Sequence, residues 1–503
     1  MPDLIESSLT WIQCALLVPL AALGLHRGWI VMLYLATRHR RRANAPTPEI
    51  WPRVTVQLPI FNERLVAARL IECVAGLDYP RDRLQIQVLD DSTDDTSGIV
   101  ARAIEGLPAD LDVEHRRRSV RTGYKAGALA EGLDSATGDF LAIFDADFLP
   151  PSDFLRRTVA EMRDGRIGMV QARWGHVNPD FSLLTDVQRT LLDGHFVVEH
   201  RARAETGCFF NFNGTAGLFR RECIEDAGGW QHDTLTEDMD LSYRAQLRGW
   251  KFRYLHDLVC PAELPIEMNA FLSQQHRWAK GSLQTARKLL GRILRAPIPW
   301  FAKGEATVHL LGNVAFPLLF GLILVALPLQ IVRAINHSEV PSWLCAFEAT
   351  PLLFATGCLL LYYATARYGA GTLRVRTILR LPLVFAIGAG MCVNNTAAVL
   401  SAMRRHAGEF RRTPKRNAGN DRHSVDAPAY RSTRGIIPFV EGALALCAAT
   451  TSLIAWSIGV PGTAIFHGLF AIGLGWTSVA SIAEDRRPPS APAVQGRMLA
   501  ANP

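Results

Sequence analysis

Phe140-Leu141-Ala142-Ile143-Phe144-Asp145-Ala146-Asp147 is the stretch whose reading decides the fold class of this chain. Its short apolar run predicts a buried strand. The run ends in two carboxylates separated by one residue, a small acidic clasp at a strand end. Such a clasp suits a hard divalent cation carrying a diphosphate, because Mg2+ takes one or two carboxylates and fills the rest of its shell with phosphate oxygens and water. A lone D-x-D triplet arises by chance in many chains, so its surroundings must give it weight.

Further strand candidates flank it: Val54-Thr55-Val56-Gln57-Leu58, Leu84 to Leu89, and Gly168 to Ala172. They alternate with helical stretches between about residues 52 and 295. That alternation predicts βαβ units, hence an α/β, Rossmann-like domain with a parallel sheet. Ligands of such sheets sit at the carboxyl ends of strands, and most of the polar motifs below follow a strand candidate directly.

The whole chain has 503 residues, enough for more than one domain, with 49% apolar residues and a net charge of +7. Its pI is about 9.0 and its mean hydropathy +0.10, high for a purely soluble protein. In a chain with membrane segments, a basic excess belongs to cytoplasmic loops beside anionic lipid. No nucleic-acid motif is present, so no nucleic-acid partner is expected. The nine cysteines are scattered, odd in number and without a C-x-x-C pair. Neither a zinc site nor a disulfide framework is indicated, which fits a reducing compartment. The first apolar stretch follows Pro2-Asp3-Leu4-Ile5-Glu6 with no basic n-region, so no cleavable signal peptide is expected.

Residues from about 10 to 36 are apolar except for His26-Arg27, and Arg38-His39-Arg40-Arg41-Arg42 follows. The positive-inside rule places that basic cluster in the cytoplasm. A surface helix is the competing reading, since His26-Arg27 is costly in mid-bilayer. Apolar stretches recur at about 308–332, 343–364, 381–402, 436–458 and 463–482, each close to the ~20 residues that span a bilayer. If all five cross, the basic segment from Arg404 to Arg434 falls outside. One non-spanning segment removes the conflict, and 381–402, with Gly388, Gly390 and Asn394-Asn395, is the candidate re-entrant or interfacial helix. The expected organisation is a membrane helix and basic linker (1–50), a cytosolic catalytic domain (51–295), transmembrane and interfacial helices with a basic cytosolic loop at 403–435 (296–485), and a disordered Pro/Ala-rich tail (486–503).

Five motifs carry chemistry. Pro59-Ile60-Phe61-Asn62-Glu63 offers Asn and Glu to a base or ribose, although Asn62 equally suits a helix cap before Leu65. In Asp90-Asp91-Ser92-Thr93-Asp94-Asp95, two carboxylates suit capping and at least one of Asp90 and Asp91 faces a nucleotide. Lys125, in Arg121-Thr122-Gly123-Tyr124-Lys125, enters a helix where a phosphate would be welcome. Thr236-Glu237-Asp238 precedes a helical stretch. Inverting glycosyl transfer needs one carboxylate to take a proton from the acceptor hydroxyl. Asp238, held ionised by the helix dipole, is the expected base, with Glu237 as fallback. Gln274-Gln275-His276-Arg277-Trp278 supplies a flat face for a sugar ring and a guanidinium for a diphosphate.

The ordered set Asp90-Asp91, Asp145-x-Asp147, Thr236-Glu237-Asp238 and Gln274-x-x-Arg277-Trp278 resembles the D, D-x-D, T-E-D, Q-x-x-R-W signature of processive family 2 glycosyltransferases, which include cellulose, hyaluronan and chitin synthases. Leu89-Asp90-Asp91-Ser92-Thr93-Asp94, Gln171-Ala172-Arg173-Trp174 and Phe212-Asn213-Gly214-Thr215-Ala216-Gly217 resemble the cellulose synthase-like mannan and glucan synthases more closely. The resemblance covers about residues 50–290 and implies a glycosyltransferase-A-like fold. It implies that Glu63, Asp91 and Asp145 hold a nucleotide-sugar donor (GDP-mannose or UDP-glucose) with Asp90 close by, and that Lys125 neutralises phosphate. It further implies that Asp147 binds Mg2+ or Mn2+ and that Asp238 is the base. Asn213, Gly214 and Thr215 would lie near the acceptor end, and Glu237, Gln274, Arg277 and Trp278 beside the growing polysaccharide at the mouth of a channel through the bilayer. Phe410-Arg411-Arg412-Thr413-Pro414-Lys415 stands where these synthases carry a gating loop, and departs from its F-x-V-T-x-K form. Two alternatives remain open: a non-processive transferase acting on ceramide or diacylglycerol, and an export channel without catalysis.

Overall fold

All four expected strands form in the computed structural model, which describes residues 2–40, 46, 48–337, 340–404, 413–419 and 433–486. Arg41, Arg42, the segment Phe410-Arg411-Arg412, most of the basic loop 403–435 and the tail beyond Arg486 lie outside the described residues. Seven strands make one sheet: β1 (Val54–Ile60), β2 (Leu84–Asp90), β3 (Asp112–Arg117), β4 (Phe140–Ile143), β5 (Ile167–His176), β6 (Gly217–Arg220) and β7 (Lys251–Ala262). Their spatial order is β3-β2-β1-β4-β6-β5-β7.

The purely parallel sheet expected from the alternation is corrected at one strand. β6 runs antiparallel to both β4 and β5, and the other pairings are parallel. The chain reaches β6 after the helices Leu183–Asp193 and His200–Thr206. β6 begins beside the carboxyl end of β4, with Gly217 opposite Ile143, and runs back to place Arg220 opposite Phe140. The polar edge strand β3 and the four-residue β6 carry no apolar run by which to see them in the sequence.

Alternation along β4 feeds two cores. Ala142 packs with Val56, Leu58 and Val88 on one face, and Leu141 and Ile143 with Met169 and Phe219 on the other. Buried glutamines are paired across strands: the Thr55 hydroxyl donates to Gln85 at 2.8 Å, and Gln57 to Gln87 at 3.0 Å. The helix Tyr124–Ser135 covers them closely, for a Cβ at Gly132 would lie 2.7 Å from Gln57 Nε2. Asn62 does not cap the next helix. It has a φ of +55°, and the helix starts only at Ala67.

Five helices among the described residues are long and apolar enough to cross a membrane: Leu4–Thr37, Trp300–Ile335, Ser342–Gly369, Ile437–Ser457 and Pro461–Asp485. His26 and Arg27 sit inside the first without isolation. His26 Nε2 lies 3.1 Å from Glu305, and Arg27 donates to Glu199 at 2.8 Å. The stretch 381–402 is broken into Val375–Gly390 and Cys392–Ala402, bent by 41°. Both arms touch helices joined to the sheet. Arg380 donates to Asp186 at 2.9 Å, and Arg287 donates to the Ala402 carbonyl at 2.9 Å. At Gly473 a Cβ would meet the Ala386 carbonyl at 1.8 Å, so the helix Pro461–Asp485 packs backbone to backbone on the first arm. All nine cysteines are free thiols.

Candidate active site

The carboxyl ends of β1, β2 and β4 open into a cleft, and chain after each strand supplies its floor. After β1, Glu63 and Phe61 line it. After β2 the two aspartates part company. Asp91 lines the cleft, gripped by Arg118 through both oxygens at 2.8 and 2.5 Å, with Arg121 at 3.7 Å. Arg121 also lies 3.4 Å over the Phe61 ring. Asp90 turns inward, accepting from the Ser92 N–H at 2.8 Å and lying 3.0 Å from His115 Nε2. Burial raises its carboxyl, but hydrogen bonds from His115, Ser92 and Ser97 hold it well below the usual carboxylate range. Asp90 therefore braces the loop and does not line the cleft. In the sequence, Arg118 carried no role, and the basic run Arg116–Arg118 was the signal for it.

After β4 the clasp forms, and its carboxylates are already engaged. Asp145 takes the Lys125 ammonium at 2.5 Å, and its N–H donates to Thr215 Oγ1 at 2.9 Å. Thr215 is buried behind the cleft as a support. Lys125 is the second residue of the helix Tyr124–Ser135, turned in by Gly123 at φ +72°, and also donates to the Gly214 carbonyl at 2.8 Å. Asp147 is buried and receives the Lys415 ammonium at 2.6 Å and the Glu263 N–H at 3.3 Å. The described part of the expected gating segment thus docks in the cleft. Lys415 sits on Asp147, and Arg416 donates its backbone N–H to Glu263 at 2.8 Å and its guanidinium to Glu267.

Glu237 and Asp238 open the helix Glu237–Leu247 at the far wall. The helix end does not hold Asp238 in the ordinary carboxylate range, as the dipole alone would. Burial and the neighbouring Glu237 charge push its carboxyl up to about 7, against the Met239 N–H and Lys125, which lower it. Burial raises Glu237 as well. Buried carboxylates lose more by desolvation than one helix end returns. Gly214 packs against this pair with φ +83°, where a Cβ would lie 3.1 Å from Asp238 Oδ2.

Gln274, Arg277 and Trp278 lie on the helix Met268–Arg295, and the i, i+3, i+4 spacing turns all three to the cleft. The helix comes close because Gly281 has no side chain; a Cβ there would be 2.5 Å from Thr236. Trp174 faces Trp278 at 6.5 Å and stacks on Phe196 at 4.8 Å. Asn213, Asp238, Gln274, Trp174 and Trp278 line both the cleft and a second cavity of about 480 Å³. That cavity continues among the apolar helices past Leu20, Leu319, Leu352 and Phe470. Among the described residues no group of three or more His, Cys, Asp or Glu is placed to hold a metal ion alone.

Residues 140–368 match the family model described as glycosyl transferase family group 2. Glucomannan 4-beta-mannosyltransferase 2 of Arabidopsis thaliana is 43% identical over 303 residues, covering 58% of this chain and 56% of that protein. Glucomannan 4-beta-mannosyltransferase 1 of Oryza sativa subsp. japonica is 40% identical over 313 residues, covering 60% and 59%. The chain thus spans little more than half the length of these relatives. A mannosyltransferase from Pyrobaculum calidifontis, solved in complex with GDP-Man and Mn2+, superposes with a TM-score of 0.54 at 24% identity, covering 79% of this chain and all of that one. The mixed seven-stranded domain accordingly has the glycosyltransferase-A-like fold that the motifs implied, and the resemblance to family 2 mannan synthases holds.

Proposed function

We propose that this chain, a relative of the family group 2 glycosyl transferases, moves a hexose from a nucleotide-sugar donor onto the end of a β-linked polysaccharide. The reading is carried by one observation. Asp238, a carboxyl poised near pH 7, lies where the acidic cleft meets a cavity running among apolar helices. A base poised near the working pH is at its most effective.

The donor nucleotide occupies the cleft between Glu63, Asp91 and Asp145. The relatives are named as mannosyltransferases, so GDP-mannose is the first donor to test and UDP-glucose the second. The residues fit a divalent cation. Asp147 already holds a positive charge in Lys415, Asp145 stands beside it, and Mg2+ or Mn2+ needs only one or two carboxylates when a diphosphate completes its shell. Bound there, the cation would stabilise charge on the leaving diphosphate. Lys125 and Arg277 bring further positive charge to the same wall. Trp278 and Gln274 hold the acceptor sugar. Asp238 takes the proton of its attacking hydroxyl as the anomeric carbon is displaced in line, inverting an α-linked donor to a β-linked product.

We read the five long helices as spans and the bent pair as a re-entrant element, with the cleft in the cytoplasm. The far ends agree: Arg333 pairs with Glu348 at 2.8 Å and approaches Glu6, away from the sheet, whereas Glu484 accepts the Met268 and Asn269 N–H groups at 2.6 and 2.8 Å. The cavity beyond Asp238 favours a polymer that leaves through the bilayer over transfer to a lipid. A panel of radiolabelled donors on membranes carrying the protein, followed by sizing and linkage analysis, tests this. A ladder of β-linked products is expected. A single lipid-linked sugar would favour the ceramide or diacylglycerol type, and no nucleotide release from any donor would leave only an export channel.

A further inference from the structure

The helix Ser342–Gly369 is followed by a short turn and then by the first arm of the bent pair, Val375–Gly390. That arm has two unlike faces. Val384 and Ile387 are buried against Leu184 and Val187, and against Phe271 and Leu272 of the helix that carries Gln274, Arg277 and Trp278. On the other side Val375, Ile378 and Leu379 are 74, 50 and 76% exposed. Their i, i+3, i+4 spacing makes them one stripe. An exposed apolar stripe on a helix beside membrane spans marks contact with lipid.

The flank of the stripe is basic. Arg376 and Arg380 stand one turn apart on the same edge, and Arg374 precedes them. Arg374 and Arg376 are exposed and have no ion pair among the described residues. Arg380 donates to Asp186 at 2.9 Å, but shares that carboxylate with Arg189 at 2.7 Å and Arg367 at 3.3 Å. Burial raises the Asp186 carboxyl, and Arg380, Arg367 and Arg189 outweigh it, so the group is ionised. Arg189 also reaches Asp180 at 3.5 Å, and Asp193 lies 3.3 Å from His176. Arg189, Arg367, Arg374, Arg376 and Arg380 thus outnumber the acids around them, Asp180, Asp186 and Asp193. The surplus charge lies close in sequence to Tyr368, an exposed ring at the end of a span, of the kind that settles at headgroup level.

We propose that Arg374, Arg376 and Arg380 seat the phosphate of an anionic phospholipid whose acyl chains lie along Val375, Ile378 and Leu379. Guanidinium groups grip phosphate through paired hydrogen bonds, and the surplus positive charge selects a net negative headgroup over a zwitterionic one. The seat rests on the long helices being spans, and its effect on turnover rests on the transferase reading above. The same arm packs on Phe271 and Leu272. A lipid that holds the arm therefore steadies the helix bearing Gln274, Arg277 and Trp278, and the charge of the adjoining leaflet regulates transfer.

The test reconstitutes the full chain in phosphatidylcholine nanodiscs with or without phosphatidylglycerol. Native mass spectrometry reads the lipid retained, and nucleotide release from GDP-mannose reads turnover. Wild type is expected to retain phosphatidylglycerol over phosphatidylcholine and to release nucleotide faster when it is present. Arg374→Gln with Arg376→Gln is expected to lower the relative affinity for phosphatidylglycerol about thirtyfold, the weight of two arginines at an anionic surface, and to turn over alike in both discs. Arg374→Lys with Arg376→Lys keeps the charge and is expected to keep most of the preference. Wild type without the preference, or a Gln variant that retains it, overturns the seat. So does an equal loss in Arg38→Gln with Arg40→Gln, which marks net charge alone, or displacement of the lipid by inorganic phosphate, which marks a soluble anion. Wild-type turnover indifferent to phosphatidylglycerol overturns the regulation. No nucleotide release in any disc overturns the transferase reading, while the lipid retained still decides the seat.

Discussion

As the proposed base, Asp238 would couple activity and stability through one proton. Its carboxyl stands near 7 because burial and Glu237 disfavour the charge. As a base it acts only when ionised, so transfer is expected to fall about tenfold per pH unit below 7, read as kcat/KM against pH. Asp238→Asn is expected to reduce transfer by about 10²–10⁴-fold, the usual worth of a general base, with nucleotide binding retained in a fluorescent-nucleotide titration. The linkage sign is that of a raised pKa. The stability contribution is fully present below the unfolded carboxyl value and is lost as pH rises through about 7. The Asn variant should therefore melt higher than wild type above pH 7. Gly214 is held at φ +83° with 3.1 Å between a would-be Cβ and Asp238 Oδ2. Gly214→Ala should cost about 1 kcal/mol or more in stability and displace the base, seen as lost kcat in a folded protein.

The element that most changes the reading of the clasp is the segment 413–419. Lys415 on Asp147 and Arg416 on Glu263 and Glu267 lay it across the cleft, so the segment would compete with the metal proposed to bind that carboxylate. Lys415→Ala is expected to lower the Mn2+ concentration that half-saturates nucleotide binding, measured by titration calorimetry. An unchanged metal dependence would mean that Asp147 is not the ligand. Among the helices, Gly473 and Gly390 let two backbones touch: at Gly390 a Cβ would lie 2.6 Å from the Gly473 carbonyl. Gly473→Ala should cost about 1–3 kcal/mol by overpacking, visible as a lower Tm of the detergent-solubilised protein.

Across the whole molecule, a buried charge network ties the first helix to the helices that flank the sheet. Glu199 pairs with Arg27 and Arg203, and Glu305 lies 3.1 Å from His26 and accepts from Trp29 at 2.9 Å. These pairs answer the cost of His26-Arg27 inside an apolar helix. Breaking one pair leaves a buried charge alone. Glu199→Leu is accordingly expected to destabilise by about 3–5 kcal/mol and to lose the monodisperse peak in size-exclusion chromatography, whereas Trp29→Phe, which deletes one hydrogen bond, should keep it.

The sequence by itself determined the local and periodic features. The run Phe140–Ile143 reads as a buried strand, the apolar blocks as helices packed in lipid or protein, and the ordered motifs after strand ends carry the resemblance to family 2 glycosyltransferases. These follow from patterns within a few turns of chain. Only the tertiary structure decided which carboxylates face the cleft and in what charge state. Asp90 and Asp91 are neighbours in sequence with the same side chain, yet one braces a loop through His115 and the other meets Arg118 in the cleft. Asp238 looks like an ordinary ionised carboxylate from its helix position, and burial beside Glu237 raises it to about 7. The antiparallel β6, the bend at 41° and the Lys415–Asp147 contact between residues 268 positions apart follow the same rule. Desolvation and long-range pairing depend on what else is packed nearby, and no local pattern records it.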